Sequence, residues 1–169
     1  MKEFIREIPD FPQPGILFRD ITPLLGNGEA YKEAIDKLAV FAQNLKADVI
    51  VGPEARGYVV GAPLAYALGK GFVPVRKKGK LPAETVRVEY DLEYGTDYLE
   101  IHKDAIQPGQ RVVVADDLLA TGGTISATIE LSKKIGGNVV GAAFFIELRH
   151  LEGRRRLSED MSVLTLVQY

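Results

Sequence analysis

The chain has 169 residues, 46% hydrophobic and 26% charged, a balance that fits one globular domain and excludes a disordered or fibrous protein. Its 21 basic and 23 acidic residues leave a net charge of −2, which argues against a general nucleic-acid binder while allowing local cationic clusters. With no cysteine, disulfides, thiolate metal sites and a cysteine nucleophile are all excluded. Met1 to Glu7 lacks the apolar core of a secretory signal, and no apolar run approaches the roughly 20 residues of a membrane span. A cytoplasmic protein is the expectation.

In chain order, Pro9 to Leu25 is punctuated by Pro and Gly and should be irregular. It carries Phe11, Ile16, Leu17, Phe18 and Ile21, too many apolar groups for a loose tail, so it reads as an ordered cap. Glu29 to Leu45 places apolar residues at helical spacing, including Tyr31, Ala34, Ile35, Leu38 and Ala42. Asp48 to Val51 reads as a short buried strand ending at Gly52. Tyr58 to Leu68 is a second helix, apolar nearly all round and stopped by Gly69. Phe72 to Val75 is a strand. The basic stretch Arg76 to Pro82 should be a mobile loop. Thr85–Tyr90 and Asp97–Asp104 alternate and could pair as a hairpin across Glu93 to Thr96. Arg111–Ala115, Asn138–Leu148 and Ser162–Tyr169 read as strands, and Ile125–Ile135 as a helix. Strands alternating with helices predict a mainly parallel sheet covered on both faces. No linker divides the chain, so residues 1–169 are expected to form one domain.

The chemistry concentrates between Val112 and Thr124. An apolar strand runs into Asp116 and Asp117, then into the small and hydroxyl residues Ala120, Thr121, Gly122, Gly123 and Thr124, then into a helix. In open α/β sheets ligands sit beyond the carboxyl ends of strands. The glycines allow close approach, and the helix start offers free N–H groups to an anion. No Lys follows the glycines, which excludes the common nucleotide loop, and no G-x-G-x-x-G occurs. Two carboxylates beside a phosphate site must face another part of the ligand, and sugar hydroxyls or a hydrated cation are their natural partners. A phosphate with an adjacent diol describes a ribose 5-phosphate.

The window resembles the phosphoribosyl pyrophosphate (PRPP) motif of type I phosphoribosyltransferases, and Leu118-Leu119-Ala120-Thr121-Gly122-Gly123-Thr124 is similar to their adenine-specific branch. Phe11 to Ile21 resembles that branch's base-covering hood (residues 1–25). Gly52-Pro53-Glu54-Ala55-Arg56-Gly57 resembles its pyrophosphate loop, and Arg76 to Pro82 with Leu92 to Asp97 its flexible catalytic loop (residues 76–104). The resemblance implies a type I fold with a mainly parallel sheet, helices on both faces, an N-terminal hood and a flexible hairpin. It implies a homodimer acting on adenine and PRPP to give AMP and pyrophosphate, with Mg²⁺ held by PRPP near Asp116 and Asp117 through water. Ala120 to Thr124 would hold the 5′-phosphate, with Leu119 also among the substrate-binding residues, and Glu54, Ala55 and Arg56 the pyrophosphate on a strained loop. Arg76 and Lys80 would close over pyrophosphate, Arg76 reaching toward a second subunit. Glu93 and Tyr94 would act at the purine edge and the ribose. The backbone of Leu17 and Arg19, with Phe18 packed nearby, would read the adenine edge. No nucleic acid or membrane partner is implied.

Duller roles exist for each: an Arg such as Arg56 commonly pairs with a nearby acid, a charge run is usually a solvated face, and Glu93–Tyr94 could be a plain turn. His102 and His150 look like isolated surface residues. Two alternatives stay open, another base specificity (hypoxanthine/guanine or orotate) and a non-catalytic PRPP-sensing regulator. The second is disfavoured because nothing before the hood has room for a helix-turn-helix.

Overall fold

The structure is a computed structural model that describes residues 1–91 and 96–169. The expected tip residues Glu93 and Tyr94 lie outside the described residues.

The chain opens with β1 (Arg6–Pro9) and β2 (Leu17–Asp20), an antiparallel ribbon with Ile8 opposite Phe18 and Pro9 opposite Leu17. The short helix α1 (Thr22–Gly26) follows. The expectation of irregular chain across Pro9–Leu25 is therefore corrected. Pro9 ends β1 and so does not break it, and the turn-forming residues Pro12, Pro14 and Gly15 fall between the two strands.

Helix α2 (Gly28–Asn44) matches the periodic segment; Asn27 caps it, its side-chain oxygen accepting from the Ala30 amide at 2.9 Å. Then come β3 (Val49–Pro53), α3 (Tyr58–Leu68) and β4 (Gly71–Lys77). The hairpin strands β5 (Thr85–Asp91) and β6 (Thr96–His102) follow. The chain finishes with β7 (Arg111–Leu119), α4 (Gly123–Lys134), β8 (Asn138–Glu147) and β9 (Ser162–Gln168).

Among the described residues one seven-stranded sheet runs β5-β6-β4-β3-β7-β8-β9. Strands β4, β3, β7, β8 and β9 are mutually parallel, and the hairpin joins antiparallel through Arg76 opposite Glu100. Strand alternation divides the core between the two faces. Val113, Ala115, Ala143 and Phe145 pack with α2 and α3, whereas Val112, Val114, Ala142 and Phe144 pack with α4.

Two strands outrun their apolar stretches. β4 continues through Arg76 and Lys77, and β7 through Asp116 to Leu119. Arg76 is thus a strand residue and not part of the following loop. Backbone pairing with β6 and β8 supplies the ladder bonds whatever the side chain, so polarity did not end either strand.

Candidate functional site

The carboxyl ends of β3, β4 and β7 converge on one rim of the sheet, as parallel pairing requires. The end of β7 brings Asp116 and Asp117 there, and the chain then turns through Ala120–Gly122 into α4. Gly122 holds φ +82° at the helix N-cap, a left-handed conformation that side chains other than Gly rarely adopt. The first N–H groups of α4 have no intrahelical partner, and they lie beside a cleft of about 170 Å³ lined by Arg56 and residues 116–125.

Asp117 is buried, with Asp116 partly buried beside it, and the Asp117 amide donates to Asp116 Oδ1 at 2.9 Å. Burial first, and then the charge of Asp117, push the Asp116 carboxyl well above the usual range. Burial likewise raises Asp117, against the opposing pull of Arg56. Arg56 Nε stands 3.2 Å from Asp117 Oδ2, yet that oxygen receives no aligned hydrogen bond. Such a pair favours a partner that brings hydroxyl donors or a hydrated cation. Among the described residues no three His, Asp or Glu side chains gather as a metal site of their own.

Arg56 joins segments that are far apart in sequence. It sits on the turn after β3, with a cis peptide joining Glu54 to Ala55. Its guanidinium lies 5.4 Å from the centre of the Phe18 ring in the hood, and Phe11 meets Phe18 edge-on at 5.1 Å. Hood, turn and carboxylate pair therefore meet at one side chain. The acid-paired state of Arg56 foreseen as the duller reading is present, but the side chain remains 45% exposed along the cleft.

Glu54 commits both oxygens to β4, accepting from the Lys77 amide at 2.6 Å and from Arg76 at 3.2 Å. Burial pushes its carboxyl up, but these donors outweigh that and hold it below its ordinary value. Arg76 also donates to the Lys80 carbonyl at 3.1 Å, which ties the strand end to the basic turn. Lys80 itself is exposed. In the hood, Leu17 is 44% exposed, whereas the Arg19 side chain is nearly covered and pairs with Glu7. His102 is not a bare surface residue, because its Nε2 accepts from the Ala83 amide at 3.3 Å.

Sequence reasoning missed the supports behind the site. Tyr169 places its ring 3.7 Å from the Arg19 guanidinium, and Arg154 grips Glu147 at the end of β8. Neither lies in a recognisable motif, and only their distant partners would have drawn attention to them.

A sheet-end cleft that combines a helix start with free N–H groups, an acid pair and a cationic turn has the chemistry that suits a sugar phosphate. Residues 25–168 match the family described as phosphoribosyl transferase domain. An adenine phosphoribosyltransferase of Brevibacillus brevis is 66% identical over 168 residues, which span 99% of this chain and 98% of that protein. The crystal structure of adenine phosphoribosyltransferase from Thermoanaerobacter pseudethanolicus has a TM-score of 0.95 at 56% identity, covering 99% of this chain and 97% of that one. That of the Saccharomyces cerevisiae enzyme, complexed with an imino-altritol bisphosphate and adenine, has a TM-score of 0.93 at 42% identity, covering 98% and 95%. The chain belongs to the phosphoribosyl transferase family, in the branch of the adenine phosphoribosyltransferases.

Proposed function

We propose that the cleft at the ends of β3 and β7 carries the transfer of the 5-phosphoribosyl group from PRPP to adenine, giving AMP and pyrophosphate. The chain is a transferase of purine salvage, in keeping with relatives matched over its whole length. The observation that carries the site assignment is the meeting of Phe18, Arg56 and Asp117 beside the helix start of α4.

The roles follow from that arrangement. The turn from Leu119 to Thr124 holds the 5′-phosphate with backbone N–H groups, while Asp116 and Asp117 accept from the ribose hydroxyls. Asp116 and Asp117 would hold Mg²⁺, brought in with PRPP, through water. When bound, it offsets charge on the departing pyrophosphate. Arg56 turns from Asp117 to the leaving group, with Ala55 beside it. Arg76, steadied by Glu54, and Lys80 face the same group. Positioned cations stabilise the charge that develops as the bond from C1 to pyrophosphate breaks ahead of full bonding to adenine N9.

The hood has the geometry to read a base. Pro9 has no N–H, so its pairing with Leu17 cannot be doubly hydrogen-bonded. Strand alternation then directs the N–H and C=O of Leu17 and Arg19 to the outer edge of the ribbon. Such a donor and acceptor pair separates a 6-amino from a 6-keto purine, because the two bases present opposite groups. Residues 1–25 act as hood, and the basic turn and hairpin that follow the end of β4 close over the site in a single working unit, with Glu93 and Tyr94 acting at the purine edge and ribose. A cytoplasmic homodimer completes the reading; among the described residues no helix is long and apolar enough to cross a membrane.

Pyrophosphate release should be followed with PRPP, Mg²⁺ and each of adenine, hypoxanthine and guanine under identical conditions. A strong preference for adenine is expected. Comparable rates with hypoxanthine would refute the role given to the hood.

A further inference from the structure

The phosphate turn is supported from behind by a segment that none of the site roles includes. Gly153 is buried in the short turn Gly153–Arg156 between β8 and β9. A β-carbon on Gly153 would stand 2.3 Å from the Ala120 carbonyl oxygen and 3.1 Å from the Gly122 nitrogen. A β-carbon on Gly122 would in turn stand 2.6 Å from the Gly153 carbonyl oxygen. The two segments thus meet backbone to backbone, at a separation that no side chain would permit.

What holds Gly153 in that place is its neighbour. Arg154 donates to both oxygens of Glu147, from Nε at 2.6 Å and from a terminal nitrogen at 2.8 Å. Paired forks of this kind fix direction as well as distance. Glu147 is 5% exposed, and the Arg154 hydrogen bonds, foremost among its contacts, hold its carboxyl below the ordinary range. Thr165 donates to it at 3.0 Å and Gln168 at 3.3 Å, both from β9. Glu147 lies opposite Leu119, the residue that leads into the phosphate turn, and the Leu148 amide donates to the Leu119 carbonyl at 3.0 Å. One rigid chain of contacts therefore runs from β9 through Glu147 and Arg154 to Gly153 and the back of the turn.

Resting on the assignment of residues 119–124 as the phosphate turn, we propose that Gly153 is a positioning residue for the 5′-phosphate of PRPP and AMP. It touches no ligand. Its bare backbone sets how far the Ala120–Gly122 peptides retreat, and so where their N–H groups stand. A small displacement of such donors costs binding, because a preorganised anion site depends on fixed donor positions.

Calorimetric titration of the Gly153→Ala variant with AMP, ribose 5-phosphate and pyrophosphate separates this role from general weakening. Affinity for AMP and for ribose 5-phosphate should fall by the same factor, about tenfold or more, while affinity for pyrophosphate stays within about twofold. Arg154→Ala keeps Gly153 but releases the turn, and the same selective loss is expected at smaller size. Should Gly153→Ala not fold, the Arg154→Ala titration decides the matter alone. Unchanged AMP affinity, or an equal loss for all three ligands, would overturn the proposal while leaving the phosphoribosyl reading intact. A parent protein that binds neither AMP nor ribose 5-phosphate would overturn both.

Discussion

Asp116 shows how a single side chain can serve the site and work against the fold. Its carboxyl is pushed upward by burial and by Asp117, so the folded chain binds that proton more tightly than the unfolded chain does. Above the unfolded value of about 3.9, ionisation therefore costs stability, and the cost grows until the pH passes the raised folded value. Asp116→Asn removes the charge and keeps an acceptor for the Asp117 amide. At pH 7 the variant should unfold about 3 °C higher than the parent, with the gain closing below about pH 4. The rate of transfer should fall about tenfold or more, through loss of the charge-assisted bond to the ribose that the proposed function gives this residue. Scanning calorimetry across pH, with turnover measured on the same samples, checks both. A variant that is less stable at pH 7 would show that the pair is no burden on the fold. The same residue was legible as a diol or cation ligand from its place before Ala120–Thr124, but its burial was not, because Phe144 and other β8 residues beside it come from elsewhere in the chain.

At the scale of elements, the hood and the C-terminal strand depend on one another. The Tyr169 ring lies 3.7 Å from the Arg19 guanidinium and 4.4 Å from Lys2 Nζ, and the Tyr169 amide donates to the Glu147 carbonyl at 3.0 Å. Stacking on a nearly covered guanidinium is worth about 1 kcal/mol or more, and it ties β2 to the end of the chain. Tyr169→Ala keeps the backbone bonds and loses the ring. The KM for adenine should rise about fivefold at saturating PRPP, with the KM for PRPP unchanged. A parallel rise in both constants would mean that the end of the chain supports the whole fold and not the hood in particular. The helices were the most legible elements, since burial of one stripe imposes their period directly. The ribbon β1–β2 was hidden because Pro12, Pro14 and Gly15 dominate the local pattern while its pairing spans residues 6 to 20.

The whole molecule is a sheet with a separate core on each face and a working edge where the strands stop. A ligand bound only by the folded edge stabilises the entire chain by mass action. AMP at about a hundred times its dissociation constant should add about 2.7 kcal/mol, or roughly 5–10 °C in unfolding temperature for a domain of this size. On the proposed reading of the base by the outward groups of Leu17 and Arg19, inosine monophosphate at the same concentration should give a clearly smaller shift. Thermal scans with the two nucleotides test this, and equal shifts would remove the hood from base recognition.

The sequence by itself determined the order of strands and helices from α2 onward, the glycine- and hydroxyl-rich turn after β7 and the Arg56 turn after β3. Each is local: apolar period, glycine and hydroxyl chemistry, and the position of charge relative to a strand end. It also carried enough motif to imply the family. Only the tertiary structure decided that Arg76 and Asp116 belong to strands, because a strand's length is set by neighbours that supply ladder bonds. Only the tertiary structure brought Phe18, Arg56 and Asp117 together, and seated Gly153 and Tyr169 behind the turn and the hood. Those contacts join residues tens of positions apart, and no local pattern encodes a separation that folding alone closes.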